Sequence, residues 1–140
     1  MALEIRGLAP LIQVYDMPTS VRFYTGPLGF ELITHAPFYA EGLFHWCLLR
    51  REGVELMLNT AYDEGERPAA PDKVRNFGHG DVTLYFGCPD VDAAYRHLAE
   101  QGIKLNPPSV AHYGMKQLSL TDPDGYGICF QWPAQSHEKA

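Results

Sequence analysis

Leu11-Ile-Gln-Val-Tyr-Asp16-Met-Pro18-Thr-Ser-Val21-Arg-Phe23-Tyr24-Thr-Gly26-Pro27-Leu28-Gly29-Phe30 reads as a strand that feeds a helix. Leu11 to Tyr15 is an apolar, β-branched run of strand length. Asp16 stands where a short carboxylate caps the free N–H groups of a first helical turn, and Pro18 is tolerated there because those donors have no partner within the helix. Gly26-Pro27 and Gly29 end the helix. Three further strands follow, Glu31 to His35, Phe44 to Arg50 and Val54 to Asn59, the last two turned into a hairpin at Gly53.

The same grammar recurs. Val82-Thr-Leu-Tyr-Phe86 is a strand, Asp90 an acidic cap, and Val91, Ala94, Tyr95 and Leu98 fall at i, i+3, i+4 and i+7, one apolar helical face closed by Gly102. Ile103 to Leu105, Lys116 to Leu120 and Tyr126 to Trp132 supply three strands, the last two joined by Asp122-Pro-Asp-Gly125, a turn sequence. Asp16 overlays Asp90, an offset of 74 positions, so the chain reads as an internal duplication. Module 1 covers about residues 8–60, an aperiodic linker 61–78, module 2 79–132, and a polar, frayed tail 133–140. All 140 residues make one domain of two half-units.

Composition excludes several classes. Hydrophobic residues at 46% and charged residues at 20% match a globular chain. Seventeen acids against eleven Lys and Arg, with no basic run, point away from nucleic acid and toward a neutral or cationic small ligand. No stretch is long and apolar enough for a membrane span, and Met1 to Glu4 lacks the marks of a signal peptide, which leaves the cytoplasm as the expected location. Cys47, Cys88 and Cys129, an odd and widely spaced set without CxxC, read as reduced thiols.

A four-stranded sheet with one helix has one face uncovered, so neither half suffices alone. Two such sheets with open faces opposed make a curved, barrel-like cup, and strand alternation sorts its lining. Ile12, Val14, Leu56, Leu58, Val82, Leu84, Phe86, Ile128 and Phe130 belong to the core. Ala9, Leu11, Gln13, Glu55, Met57, Asn59, Asp81, Thr83, Tyr85, Cys129 and Gln131 belong to the cup. The fold class expected is α+β, two tandem βαβββ modules.

Leu11-x-x-Val14-x-Asp16 with Phe23-Tyr24 and Leu28-Gly-Phe30, then Val54-Glu-Leu-Met-Leu-Asn59, Asp90-Val-Asp-Ala-Ala-Tyr95, and Tyr113-Gly-Met-Lys-Gln117 leading to Asp122-Pro-Asp-Gly-Tyr126, resemble the vicinal oxygen chelate superfamily in order, from about Leu8 to Trp132. That superfamily includes glyoxalase I, the bleomycin-resistance proteins and extradiol dioxygenases. Its enzymes hold a divalent metal in the cup, and the resemblance puts the four ligand places on Ala9, Glu55, Thr83 and Cys129. Of these only Glu55 is an ordinary ligand, so no metal or other cofactor is expected.

The leading expectation is a metal-independent, bleomycin-resistance-type binding protein, a homodimer that sequesters a small organic ligand in a cup or dimer groove. Trp46, Tyr85 and Tyr113 offer ring faces, alongside Tyr39, and Gln13, Thr83, Cys129 and Gln131 offer polar contacts. The resemblance gives Asn59 the place of a substrate-holding amide and Lys116 a flap position. Glu55 is either a surface ion pair or an anchor or general base. The alternatives are a metal-dependent lyase, isomerase or dioxygenase using Glu55 with His45, His79 and His112, and a non-catalytic oligomerisation module.

Overall fold

The computed structural model describes residues 2–138. The chain forms two compact units, up to Ala69 and from Ala70. The first contains β1 (Leu11–Val14), α1 (Met17–Thr25), β2 (Glu31–His35), β3 (Trp46–Arg51) and β4 (Val54–Thr60). Its sheet has the order β1-β4-β3-β2, with β1 and β4 parallel and the remaining pairs antiparallel.

Alternation along these strands sends Ile12, Val14, Cys47, Leu49, Leu56 and Leu58 to one buried face. Helix α1 buries Met17, Ser20 and Tyr24, spaced by three and four residues and therefore on one side of the helix. Each fully buried leucine contributes about 1.5–3 kcal/mol, so Leu49, Leu56 and Leu58 form the energetic centre of this unit. Asp16 caps the helix as its position implies. Its carboxylate accepts from the Thr19 N–H at 3.2 Å and from the Thr19 hydroxyl at 2.6 Å.

The second unit contains α2 (Lys73–His79), β5 (Thr83–Gly87), α3 (Val91–Glu100), β6 (Ser109–Val110), β7 (Met115–Thr121), β8 (Gly127–Pro133) and a short 3-10 turn, Ser136–Glu138. The sheet order, β5-β8-β7-β6, repeats that of the first unit, again with its first and last strands parallel. Asp90 caps α3 by accepting from the Ala93 N–H at 2.9 Å, and Val91, Leu98, Leu118 and Ile128 are buried. The fold is α+β, two βαβββ modules, as the repeat implies.

Four details differ from the sequence expectation. Val82, assigned to the core by alternation, lies just ahead of β5 and is 44% exposed. The segment 61–78 contains α2, capped by Asp72, which accepts from the N–H groups of Val74 and Arg75 at 2.9 and 3.2 Å. Its apolar residues, Val74 and Phe77, are spaced three apart on one helical face but stand 82% and 88% exposed, so the helix buries no side chain. Ile103 to Leu105 forms no strand. Pro107 and Pro108 follow it and cannot donate to a ladder, and pairing begins only at Ser109, opposite Gln117. The tail is tied rather than frayed as far as Glu138: the Ala134 N–H donates to the Gly114 carbonyl at 2.9 Å and the Gln135 N–H to the Glu138 carboxylate at 2.9 Å. Lys139 and Ala140 of that tail, and Met1, lie outside the described residues.

The β7–β8 turn is built around a buried carboxylate. Asp122 Oδ1 accepts from the N–H groups of Asp124 (2.8 Å) and Tyr126 (3.0 Å). Helix α2 docks on this turn, with the His79 ring stacked on Tyr126 at 4.1 Å and its Nδ1 2.8 Å from the Asp124 carbonyl oxygen. Gly125 has φ +90°, and a Cβ there would stand 2.6 Å from the Asn76 carbonyl oxygen of α2. Gly102 has φ +84° with nothing near a Cβ. Gly102→Ala is therefore expected to cost about 1–2 kcal/mol for the left-handed backbone alone, and Gly125→Ala clearly more. Urea midpoints of the two variants measure this, and equal losses would contradict the docking of α2.

Candidate functional site

In the first unit the face opposite the helix carries Leu11 and Gln13 from β1, Met57 and Asn59 from β4, and Trp46 and Leu48 from β3. Leu11 pairs in register with Met57 and Met57 with Leu48; Gln13 pairs with Asn59 and Asn59 with Trp46. The Asn59 amide donates to Gln13 Oε1 at 3.3 Å, so the two carboxamides form a couple beside the half-buried indole. Glu55 lies farther along the same face, opposite Arg50. Both Arg50 Nε (3.2 Å) and Nη2 (2.8 Å) donate to Glu55 Oε2, so the carboxylate is held in a surface ion pair.

The open face of the second unit has a matching feature. Gln117 pairs in register with Gln131, and its amide donates both to Gln131 Oε1 at 2.9 Å and to the Tyr113 hydroxyl at 2.7 Å. Tyr85, 58% exposed, stands across from Cys129, which faces Ser119 in turn. Thr83 lies at the far end of that row, opposite Gly127. Cys129 occupies the face that alternation assigned to it, yet it is buried. Burial pushes its thiol above the ordinary range, only partly offset by hydrogen bonds from Ser119 and the Leu118 backbone.

The remaining candidates do not gather with these. Lys116 precedes Gln117 and so points to the opposite, helix-bearing face. Its ammonium donates to Asp92 of α3 at 2.7 Å and also pairs with Glu138, which ties the tail to the sheet. This placement differs from that of a flap residue over a ligand. The hydrogen bonds to Asp92 and Glu138 raise the Lys116 pKa, and the one from Lys116 lowers that of Glu138.

Each of the three histidines has its own surroundings. His45 Nδ1 lies 2.8 Å from the Thr60 hydroxyl, His79 stacks on Tyr126, and His112 meets Tyr113 edge-on. Among the described residues no three His, Cys, Asp or Glu side chains form a group able to hold a metal ion. The four positions implied by family resemblance offer an alanine, a carboxylate engaged by Arg50, a hydroxyl and a buried thiol. That donor set does not fit a divalent metal that must polarise substrate oxygens.

The sequence reading missed a cavity of about 360 Å³ at the end of the first sheet, where β1 meets α1. Tyr15, Asp16, Tyr39, His45, Tyr62 and Arg67 are among its walls. These come from separate loops and carry no spacing signal.

A family model described as Glyoxalase/Bleomycin resistance protein/Dioxygenase superfamily matches residues 8–130. A bleomycin resistance protein of Geobacillus stearothermophilus is 27% identical over 129 residues, covering 86% of this chain and 92% of that protein. Among solved structures, a glyoxalase/bleomycin resistance protein/dioxygenase from Nocardioides aligns with a TM-score of 0.71 at 19% identity, covering 100% of this chain and 91% of the other. TnmS3, an antibiotic binding protein from Streptomyces sp. CB03234, aligns with a TM-score of 0.68 at 24% identity, covering 96% and 99%. At these identities the structural likenesses show the fold.

Two outcomes follow from the environments above. Cys47, whose thiol burial pushes up to about 11, and buried Cys129 are expected to resist a thiol reagent in the native protein at neutral pH, while half-exposed Cys88 reacts. Labelling followed by peptide mass mapping reads this out, and prompt native labelling of Cys129 would contradict its placement. The Lys116–Glu138 pair has two pH limits. The raised lysine contributes stability below its unfolded pKa of about 10.4, lost as pH rises through the folded value. The lowered glutamate contributes above about 4.3, lost as pH falls through its folded value. Lys116→Gln should flatten both limbs of the stability–pH curve, measured as urea midpoints; an unchanged curve would contradict the clasp.

Proposed function

Since the chain belongs to the Glyoxalase/Bleomycin resistance protein/Dioxygenase superfamily, we propose that it is a binding protein that sequesters a small organic molecule on its open sheet faces without a resident metal or other cofactor. The observation that carries this reading is the amide couple on each unit's open face, Gln13 with Asn59 beside Trp46 and Gln117 with Gln131 beside Tyr113. Asn59 spends its donors on Gln13 Oε1 and the Thr60 carbonyl, and Gln117 its own on Gln131 Oε1 and the Tyr113 hydroxyl, so the couples offer a ligand the Asn59 and Gln117 amide oxygens and the Gln131 amide N–H groups. Neighbouring rings add stacking area. Such a surface recognises amide- and hydroxyl-rich molecules with flat rings, the chemistry of a glycopeptide drug, and the bleomycin-resistance and antibiotic-binding relatives support that class.

The acidic balance of -6 favours a cationic ligand. Large side chains such as Tyr85 and Leu11, 58% and 44% exposed, favour a homodimer whose groove encloses the ligand. No described helix is long and apolar enough to cross a membrane, and the cytoplasm is the proposed location. Glu55, engaged with Arg50, acts here as part of the rim rather than as a base.

Calorimetric titration with bleomycin and a panel of aromatic and glycopeptide ligands tests the proposal. Binding at micromolar to submillimolar concentration is expected, unchanged after dialysis against a chelator, and weakened about tenfold by Asn59→Ala or Gln131→Ala through loss of one hydrogen bond. No binding by any member of the panel would overturn the drug-binding reading. Stoichiometric Ni, Zn, Mn or Fe in protein purified without chelator would overturn metal independence.

A further inference from the structure

The cavity at the end of the first sheet already holds a cation of the chain's own. The Arg67 guanidinium lies over the Tyr15 ring, 4.8 Å from its centroid, and pairs with Asp16. A ring face and a carboxylate converging on a flat cation is a recognition element for that chemistry. Further rings line the cavity beside apolar and acidic side chains: Tyr62 meets Tyr15 edge-on at 6.4 Å, and Tyr39 stacks on His45 at 4.0 Å. About 360 Å³ stays open with Arg67 in place, within the range of small-molecule pockets.

Arg67 is the sole Lys or Arg in the cavity wall, against Asp16, Asp63 and Glu64, and its side chain is 48% exposed. Its withdrawal into water therefore leaves an aromatic cavity with three carboxylates and sacrifices only a surface pair and an exposed ring contact, both weak. The loop that carries it is anchored independently, because the Tyr15 hydroxyl donates to the Pro68 carbonyl at 2.6 Å.

We propose that this cavity is a second binding site, specific for a planar organic cation of the amidinium or guanidinium type, and that Arg67 is its built-in occupant, displaced when the ligand enters. The site shares no wall residue with the amide couples, so it does not depend on what the open faces bind.

Titration of the full chain with benzamidinium, using uncharged benzamide as the matched neutral probe, tests this by calorimetry or ligand-observed NMR. Benzamidinium should bind and benzamide should not. Arg67→Ala should tighten benzamidinium three- to tenfold by removing the internal competitor. Asp16→Asn, which keeps a competent helix cap, should weaken it at least tenfold, and Tyr39→Leu should weaken it without touching the cap. Equal binding of the two probes, or an Arg67→Ala variant that binds benzamidinium no better than wild type, would overturn the proposal.

Discussion

Each unit rests on the parallel pairing of its first strand with its last, β1 with β4 and β5 with β8. The helix between the first two strands of each module returns the chain to begin a meander whose final strand must come back beside the first. That closure places Ile12 and Val14 next to Leu56 and Leu58 and gives the helix one continuous apolar surface to cover. Because one helix covers one face, the other face of each strand is not covered by it, although Cys129 is buried on that face. The residues available for recognition are fixed by that division, since a one-residue slip in register would move Gln13 and Asn59 into the core and Ile12 and Leu58 out of it.

The polar character of the open faces follows from their neighbours. A lone carboxamide on a sheet is an ordinary surface group, but two directly opposite each other orient one another, which converts two mobile side chains into a defined donor and acceptor array. Gln131 is ordered this way by Gln117, which is itself held by Tyr113. The same logic governs Glu55. With Arg50 directly opposite in register, the cross-strand ion pair is the closest charge it meets, and its role is set by that neighbour.

Most of the fold was legible because its signals are local. Glu31 to His35 and the caps at Asp16 and Asp90 were read from an apolar run of strand length and from short acidic residues ahead of helical periodicity. The faces of β1, β4 and β8 followed from period-two patterning, including the placement of Cys129 on the same face as Tyr85. What escaped was information held in three dimensions. Helix α2 is one short element of seven residues with no buried side, and its signals, Asp72 as a cap ahead of Val74 and Phe77 at i, i+3, are brief and lie in an acidic, proline-containing stretch. Ile103 to Leu105 has strand composition but is followed by two prolines. The contacts of Lys116 come from Asp92 and Glu138, 24 and 22 residues away, and the Tyr15 cavity draws on three separate loops.

The segment that joins the two units has two owners. Arg67 and Pro68 are bound to Asp16 and Tyr15 of the first sheet, while α2, from Lys73 onward, is docked on the Asp122–Gly125 turn of the second. Only Ala69, Ala70 and Pro71 lie between Pro68 and the Asp72 cap of α2, all exposed. This short stretch is where the covalent chain is least committed to either core. An inserted tag, a protease recognition sequence or a circularly permuted terminus placed there would disturb neither sheet, which makes it the natural point at which to separate the duplicated halves and recombine them as independent polypeptides.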